Sequence, residues 1–474
     1  MAISVVCLHI FILLAIFFLS FLWYLKNQFP KPPRNRPAIP PGSQGLPFLG
    51  ETLKLYSQSP SVFFGSRHER YGEIFKSHIH GSPCVMLGSP EAVKFALVTE
   101  AHLFKQIYPR SKEQLIGPWA VFFRDGEFHS RVRKLVQGSV SLEVIRRMVP
   151  AVESLAVAAL ESCCGDSPPA AVNTFHAMKK FTFEVAIILI FGQLDSVLTE
   201  KLREIYFTID GGYNSFPINF PGTPFRRAFL ARRRLGKILG EIISETREKR
   251  LAQKNLLSSL LNYCDEEEQV LSDDQITDNV VGVLFASQGT TASALAWVIK
   301  YIHDYPLLRE AVEREQQAIY EANDGGRRPL TWDQTRNMPY TYKVVLETLR
   351  MATVLSYTYR VAVEDVEYKG MLIPKGWRVM PLFRIIHHNQ DFFPESEKFD
   401  PSRFEAAQRP NTFLPFGSGI HACPGNEVAK LEILVLIHQL VTKFRYEVVG
   451  PADGVEYSPF PVPTGGLVAK FTKN

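Results

Sequence analysis

Near its C-terminus the chain sets one thiol in a loop of small residues, Phe416-Gly-Ser-Gly419-Ile-His421-Ala-Cys423-Pro-Gly425. A cysteine on a tight glycine-bearing turn just before a helix meets backbone N–H groups and the positive helix end, both of which favour thiolate over thiol. Such a side chain can serve as a nucleophile, as a ligand for a soft metal, or as a small buried hydrophobe. The remaining cysteines, Cys7, Cys84, Cys163, Cys164 and Cys264, lack C-x-x-C spacing and are too sparse for a disulfide framework. Other chemically able residues recur at helical intervals. Glu347 and Arg350 stand three apart, a pairing worth only about 0.2–0.5 kcal/mol on an exposed helix, and Pro401-Ser-Arg403-Phe404 follows. His129 and Arg133, four apart, share a helical face. In Ala286-Ser-Gln-Gly289-Thr290-Thr291 two threonines sit in a helix interior despite poor propensity, where hydroxyls can back-bond to carbonyls one turn earlier.

The spacing F-x-x-G-x-x-x-C-x-G resembles the haem-binding signature of the cytochrome P-450 superfamily. That resemblance implies a mainly α fold with small β-sheets, in which Cys423 is the proximal ligand of a heme b iron. It implies that Phe416 packs beside the sulfur, that Gly419 and Gly425 permit the close loop, and that His421 addresses a haem propionate. A thiolate axial ligand pushes electron density toward oxygen and favours O–O cleavage. By the same resemblance Glu347, Arg350 and Arg403 form a buried brace for the haem-side meander, and His129, Arg133 and Arg360 reach the propionates. Thr290 then lies on a kinked helix over the haem and helps steer protons. Gly289 departs from the family pattern, which usually places an aspartate or glutamate there. Lacking that relay, the chain is expected to hydroxylate with poor coupling, and an acid at 289 to improve it if the helix tolerates one.

Whole phrases resemble plant abscisic acid 8'-hydroxylases, among them Ser89-Pro-Glu-Ala-Val-Lys94, Tyr213-Asn-Ser-Phe-Pro-Ile-Asn219 and Pro410-Asn-Thr-Phe-Leu-Pro415, within a likeness running from residue 40 to 467. This implies O2-dependent oxidation of a methyl group on a small carboxylated sesquiterpenoid, with electrons from NADPH delivered by a membrane-bound cytochrome P-450 reductase. Brassinosteroid and triterpenoid oxidases share part of this vocabulary, so another terpenoid oxidase is the alternative enzyme. A haem-containing membrane protein that binds a terpenoid without turnover is the alternative of a different class. Gln137-Gly-Ser-Val-Ser141 is a second departure, where a leucine, an arginine and an Ala-Phe pair are usual. The expected pocket comprises Leu115 to Trp119 before the His129 helix, Ala286 and Thr290, Val354, Leu355 and Ser356 after the Glu347 helix, and Phe460 to Val462. A carboxylate in an apolar pocket needs a charge partner or strong hydrogen bonds. Lys112 and Arg110 are candidates, with solvent-facing loop charges as the other reading.

Positioning these residues requires a large core, which 474 residues with 46% hydrophobic composition can supply. Residues 51 to about 100 read as short strands and turns. Helical periodicity covers 141–164, 169–192, 225–252, 273–302, 306–322 and 339–351, strand-like character returns between Tyr359 and Val379, and 381 to about 422 reads as irregular. A last helix is expected from Asn426 to Thr442, followed by a hairpin between Gly450 and Gly466. The domain expectation is a transmembrane anchor over 2–24, a basic, proline-rich hinge over 25–49, and one catalytic domain over 50–474. As a helix, the uncharged run from Ala2 to Tyr24 would extend about 35 Å, enough to span a hydrocarbon core of about 30 Å. Lys26, Lys31, Arg34 and Arg36 behind it predict a single-pass protein with a cytosolic body; the endoplasmic reticulum and contact with membrane lipid are what the resemblance implies. The net charge of +5 is modest and interspersed, which argues against nucleic-acid recognition.

Overall fold

The computed structural model describes residues 12, 15, 16, 18–22, 37–46, 49–165, 170–249, 255–457 and 460–474. The expected anchor and hinge lie largely outside the described residues. Those described within the anchor are helical, and Ile12, Ile16, Phe18, Leu19 and Leu22 expose their side chains. The chain divides into two compact units, Met1–Gly88 with Arg360–Met380, and Ser89–Tyr359 with Pro381–Asn474.

The smaller unit begins with helices α1 (Thr52–Ser57) and α2 (Pro60–Tyr71), followed by strands β1 (Ile74–Ile79) and β2 (Ser82–Leu87). The helices correct the strand-and-turn expectation for this stretch. Ser59 caps α2 by accepting the Val62 N–H, Pro60 supplies a preset first turn, and Pro60, Phe63, Phe64 and Arg67 are buried along one face. Arg67 belongs to that face because Glu51 receives its guanidinium at 3.1 and 2.6 Å, so a charged residue breaks the apolar pattern without breaking the helix. Strands β3 (Arg360–Ala362), β4 (Val366–Tyr368), β5 (Met371–Ile373) and β6 (Arg378–Pro381) return to this unit. Neighbours run β1-β2-β6-β3, and β4 pairs with β5 across Lys369-Gly370, both at positive φ as a tight hairpin turn demands.

The larger unit contains helices α3 (Arg110–Ile116), α4 (Gly126–Ser139), α5 (Leu142–Cys163), α6 (Thr174–Phe191), α7 (Ser196–Asp210), α8 (Pro224–Lys249), α9 (Leu256–Leu261), α10 (Asp273–Asp304), α11 (Pro306–Ala322), α12 (Pro339–Ala352) and α13 (Asn426–Lys443). Its strands include β7 (Phe444–Val448), β8 (Val455–Tyr457), β9 (Pro461–Pro463) and β10 (Val468–Lys473). The helix expected from 169 starts at Thr174, because Val172 and Asn173 pair with β10 and the Asn173 side chain then caps the helix at His176.

Helix α10 is the axis of the larger unit. Ser272 and Gln275 close a capping box at its start, and it continues unbroken through Gly289 for 32 residues. Its first half, Ile276 to Leu284, packs into a core with α7, α8 and α9; its second half, Ala292 to Ile302, packs into a separate core with α5, α11, α12 and α13. Residues 286–291 fall between these cores. Among the described residues α10 is long and apolar enough to cross a membrane, but 72% of its apolar window is buried in protein.

The irregular stretch after β6 is better ordered than its sequence suggests. A short helix, Phe383–His387, ends at a fully buried histidine that links three segments. Arg350 donates to the His387 carbonyl at 2.8 Å, Leu414 N–H donates to Nε2 at 2.9 Å, and the Thr353 hydroxyl lies 3.1 Å from Nδ1. Burial, with His388, Arg350 and Arg384 nearby, pushes the His387 pKa well down, so the ring is a neutral linker.

Candidate active site

The cysteine loop is built from backbone geometry. Cys423 N–H donates to the Phe416 carbonyl at 2.9 Å, closing the turn before α13. Gly419 has φ +73, and a Cβ there would lie 1.9 Å from the Leu97 carbonyl oxygen, so glycine is required both by conformation and by the close approach. Gly425 is less constrained: its Cβ would sit 4.0 Å from Cys423 Sγ, an ordinary contact. The thiol remains accessible, yet its surroundings push its pKa up by burial, opposed by the Gly425 N–H and the charge of Arg133. A side chain both accessible and surrounded by protein lines an internal space.

Beside it, basic side chains converge. Arg133 on α4 donates to the Ala422 carbonyl at 2.6 Å and has no acidic partner among the described residues. His129, one turn earlier, lies against His421 with ring centres 4.2 Å apart and the rings tilted by 42°, and His421 Nε2 lies 3.0 Å from Asp125 Oδ1. Burial, with His421 and Arg133 close by, pushes His129 down to about 4, which leaves it neutral near pH 7. Two histidines and an arginine gathered over one aspartate form a donor set suited to carboxylates. With an accessible cysteine at its edge, this arrangement fits a haem held by thiolate and propionates. Arg360 opens β3 in the smaller unit and is buried.

Behind the loop, Glu347 and Arg350 form a fully buried bidentate pair at 2.7 and 2.8 Å. Arg403 Nε stands 3.4 Å from Glu347 Oε1 without hydrogen-bond geometry, and its Nη2 donates to the Glu395 carbonyl at 2.9 Å. The Asp400 N–H also donates to Glu347 Oε1, at 2.9 Å, so the carboxylate fixes the meander chiefly through backbone.

Helix α10 presents two adjacent stripes. Phe285, Gly289, Ser293 and Trp297, spaced by four, meet the C-terminal hairpin: Ser293 Oγ and Trp297 Nε1 both donate to the Pro461 carbonyl, at 2.6 and 2.8 Å. Phe460 lies against Gly289, where a Cβ would be 2.9 and 3.1 Å from two ring carbons. An acid at 289 would therefore require the Phe460 ring to shift from the space into which that side chain would grow. One position along, Ala286 is exposed and Thr290 half-buried in the middle of a buried helix, so this stripe faces open space. Thr290 Oγ1 donates to the Ala286 carbonyl at 2.7 Å, leaving its lone pairs toward that space.

The other expected pocket residues separate. Leu115 is fully buried, while the Trp119 ring is covered by Phe128 at 5.2 Å and by the Arg124 guanidinium at 4.1 Å. Val354 packs against the core, Leu355 is exposed, Ser356 is buried and Val462 lies within the core beneath the hairpin. An aromatic wall went unread in the sequence: Tyr213 contacts Phe285 at 4.7 Å, Phe285 contacts Phe460 at 6.5 Å and Phe122 at 5.8 Å, and Tyr108 contacts both Phe122 and Phe123. Phe285 stands one turn before Gly289, a spacing that could have revealed it. Asp278 and Asn279 were also missed; they hold the loop after α3 by accepting the N–H groups of Trp119 and Val121, at 3.0 and 2.8 Å.

The cytochrome P-450 family model matches residues 40–461. The chain is 57% identical over 470 residues to an abscisic acid 8'-hydroxylase of Solanum lycopersicum, covering 98% of each sequence. It is likewise 57% identical over 444 residues to abscisic acid 8'-hydroxylase 4 of Arabidopsis thaliana, covering 94% of each. Among solved structures, the retinoic acid bound cyanobacterial CYP120A1 aligns with a TM-score of 0.84 at 28% identity, covering 93% of this chain and 100% of that one.

Proposed function

The chain belongs to the cytochrome P-450 family, and from that premise we propose that it hydroxylates abscisic acid at the 8' methyl group, using O2 and NADPH-derived electrons from a reductase. The observation that carries the reading is near-full-length identity of 57% to hydroxylases of that compound, joined to an accessible cysteine in a closed backbone turn.

Cys423 would bind the haem iron, and His129, Arg133 and His421 would hold its propionates. When bound, the haem supplies oxygen activation, to which a thiolate ligand contributes electron density. The protein's own residues set the conditions. Glu347 and Arg350 fix the meander through His387 and Asp400, while the Cys423 N–H bond to Phe416 closes the turn that carries the sulfur. The aromatic wall of Tyr213, Phe285 and Phe460 excludes water from one side of the space. Thr290, with its own proton committed to the Ala286 carbonyl, accepts a hydrogen bond and can position a water at Oγ1. Because Gly289 carries no relay group, water must provide the remaining proton path, and coupling of NADPH use to product should be low.

The anchor reading complements this chemistry: residues 2–24 would span the endoplasmic reticulum membrane and leave residues 50–474 in the cytosol beside the reductase. Protease treatment of sealed microsomes should digest the body, and full protection would refute the topology. The test of function is incubation of reconstituted membranes with reductase, NADPH and, in turn, abscisic acid, a brassinosteroid and a small terpenoid panel, followed by mass spectrometry. An NADPH-dependent hydroxylated product from abscisic acid is expected; turnover of another member alone would overturn the assignment.

A further inference from the structure

Helix α3 carries two cations with different surroundings. Arg110 at its start is exposed, whereas Lys112 is half-buried, donating from Nζ to Asn214 Oδ1 at 3.1 Å and standing 5.3 Å from the centre of the Tyr213 ring. Among the described residues no carboxylate lies within ion-pair distance of Lys112. The acid whose field reaches it, Asp210 on α7, is already bound by Lys179. Glu113 is its neighbour on α3, Tyr213 is buried and neutral, and among the described residues the amine's hydrogen-bond and ring partners are the Asn214 amide oxygen and the Tyr213 ring. Enclosure pushes the Lys112 pKa down to about 8, with Asp210 pulling the other way, so the amine is mostly charged at pH 7. Among the described residues this half-buried cation meets neutral hydrogen-bond and ring partners, and no anion there offsets the hydration it has lost.

The location indicates where such an anion would come from. Tyr213, under the amine, begins the wall that continues through Phe285 to Phe460, and Phe460 rests on Gly289 beside Thr290. A chain of aromatic contacts therefore runs from beside Lys112 to the part of α10 that carries Gly289 and Thr290. We propose that Lys112, held by Asn214 and Tyr213, receives the carboxylate of the substrate and so selects small apolar acids over their neutral analogues. This rests on the reading of the chain as an oxidase of a carboxylated terpenoid. A charge-assisted hydrogen bond in an enclosed site is strong and is lost when the ligand's acid is esterified. Arg110, being exposed, has no part in it.

The test uses the full-length haem-loaded enzyme in lipid discs and measures equilibrium binding of labelled abscisic acid and of its methyl ester to wild type, K112Q, K112R and R110Q. K112Q should weaken acid binding roughly 10- to 100-fold while leaving the ester unchanged. K112R should retain most acid affinity, and R110Q should match wild type. In wild type, acid affinity should fall between pH 7 and pH 9 as the amine deprotonates, a trend absent in K112Q. Equal acid binding by wild type and K112Q, or equal loss of acid and ester, would overturn the role of Lys112 and leave the proposed reaction standing. Failure of wild type to bind the acid at all would remove both.

Discussion

Arg232 on α8 and Asp278 on α10 meet at 2.5 Å, and between them they grip the loop that follows α3: Arg232 also donates to the Ile116 carbonyl at 3.2 Å, while Asp278 accepts from Trp119. Gly117 makes the contact possible, since a Cβ there would lie 2.0 Å from Asp278 Oδ1. Both charges are nearly buried, so removing one strands the other at a cost of about 3–5 kcal/mol. D278A should lower the unfolding midpoint and raise KM for abscisic acid more than it lowers kcat, because the loop borders the site without reaching the reacting atoms. D278A/R232A should be less harmful than the sum of its single changes. Additive losses in that cycle would mean that the two residues act separately.

At Gly289 the prediction differs from what the family pattern alone suggests. G289A places a Cβ against Phe460, and overpacking of about 1–3 kcal/mol should outweigh the gain of about 1 kcal/mol in helix propensity. G289D alone should therefore bind substrate poorly and fail to improve product formed per NADPH consumed. G289D/F460A, in which the ring is gone, should raise that ratio above the value for F460A. A well-folded G289D with better coupling than wild type would show that the ring moves freely.

C423A should fold with a similar far-ultraviolet spectrum but lose the carbon monoxide difference band that marks thiolate-bound haem. R133Q should keep the band position and lose haem more readily, since its guanidinium ties α4 to the cysteine loop at Ala422. An unaltered band in C423A would remove this cysteine as the ligand.

Glu432 on α13 yields a pH prediction. It is 2% exposed, its Oε2 has no partner among the described residues, and burial raises its pKa well above the ordinary 4.5. With the folded pKa above the unfolded one, the native state binds the extra proton. The stabilisation is fully present below about pH 4.5 and is lost as pH rises from there through the folded value. E432Q should match wild type near pH 4.5 and exceed its unfolding midpoint by a margin that grows toward pH 8. A constant difference across that range would indicate that Glu432 is charged in the folded protein.

Much of the site was legible because it depends on short-range spacing. The cysteine turn, the Glu347–Arg350 interval and the His129–Arg133 interval each express the geometry of one loop or helix, which the chain writes locally. What escaped depends on contacts between distant segments. Phe460 fills the space over Gly289 from 171 positions away, and no pattern within α10 announces it. Helix α2 was obscured because Arg67 occupies an inward position made tenable by Glu51, sixteen residues earlier, and by the Phe63 carbonyl and ring. The stretch after β6 reads as irregular because its order comes from His387 bonding to Leu414 and Arg350 rather than from periodicity.

The double acceptance at the Pro461 carbonyl bears on how this enzyme could acquire new substrates. Ser293 and Trp297 fasten the hairpin backbone to α10 at two points one helical turn apart, so the backbone cannot drift outward to admit a bulkier molecule. Adaptation at this wall is channelled into side-chain exchange at position 460. There a single shortening would open space over Gly289 while the strand stays fastened at Pro461, so a lineage could shift its substrate size in one mutational step, at the folding cost of one truncated buried ring.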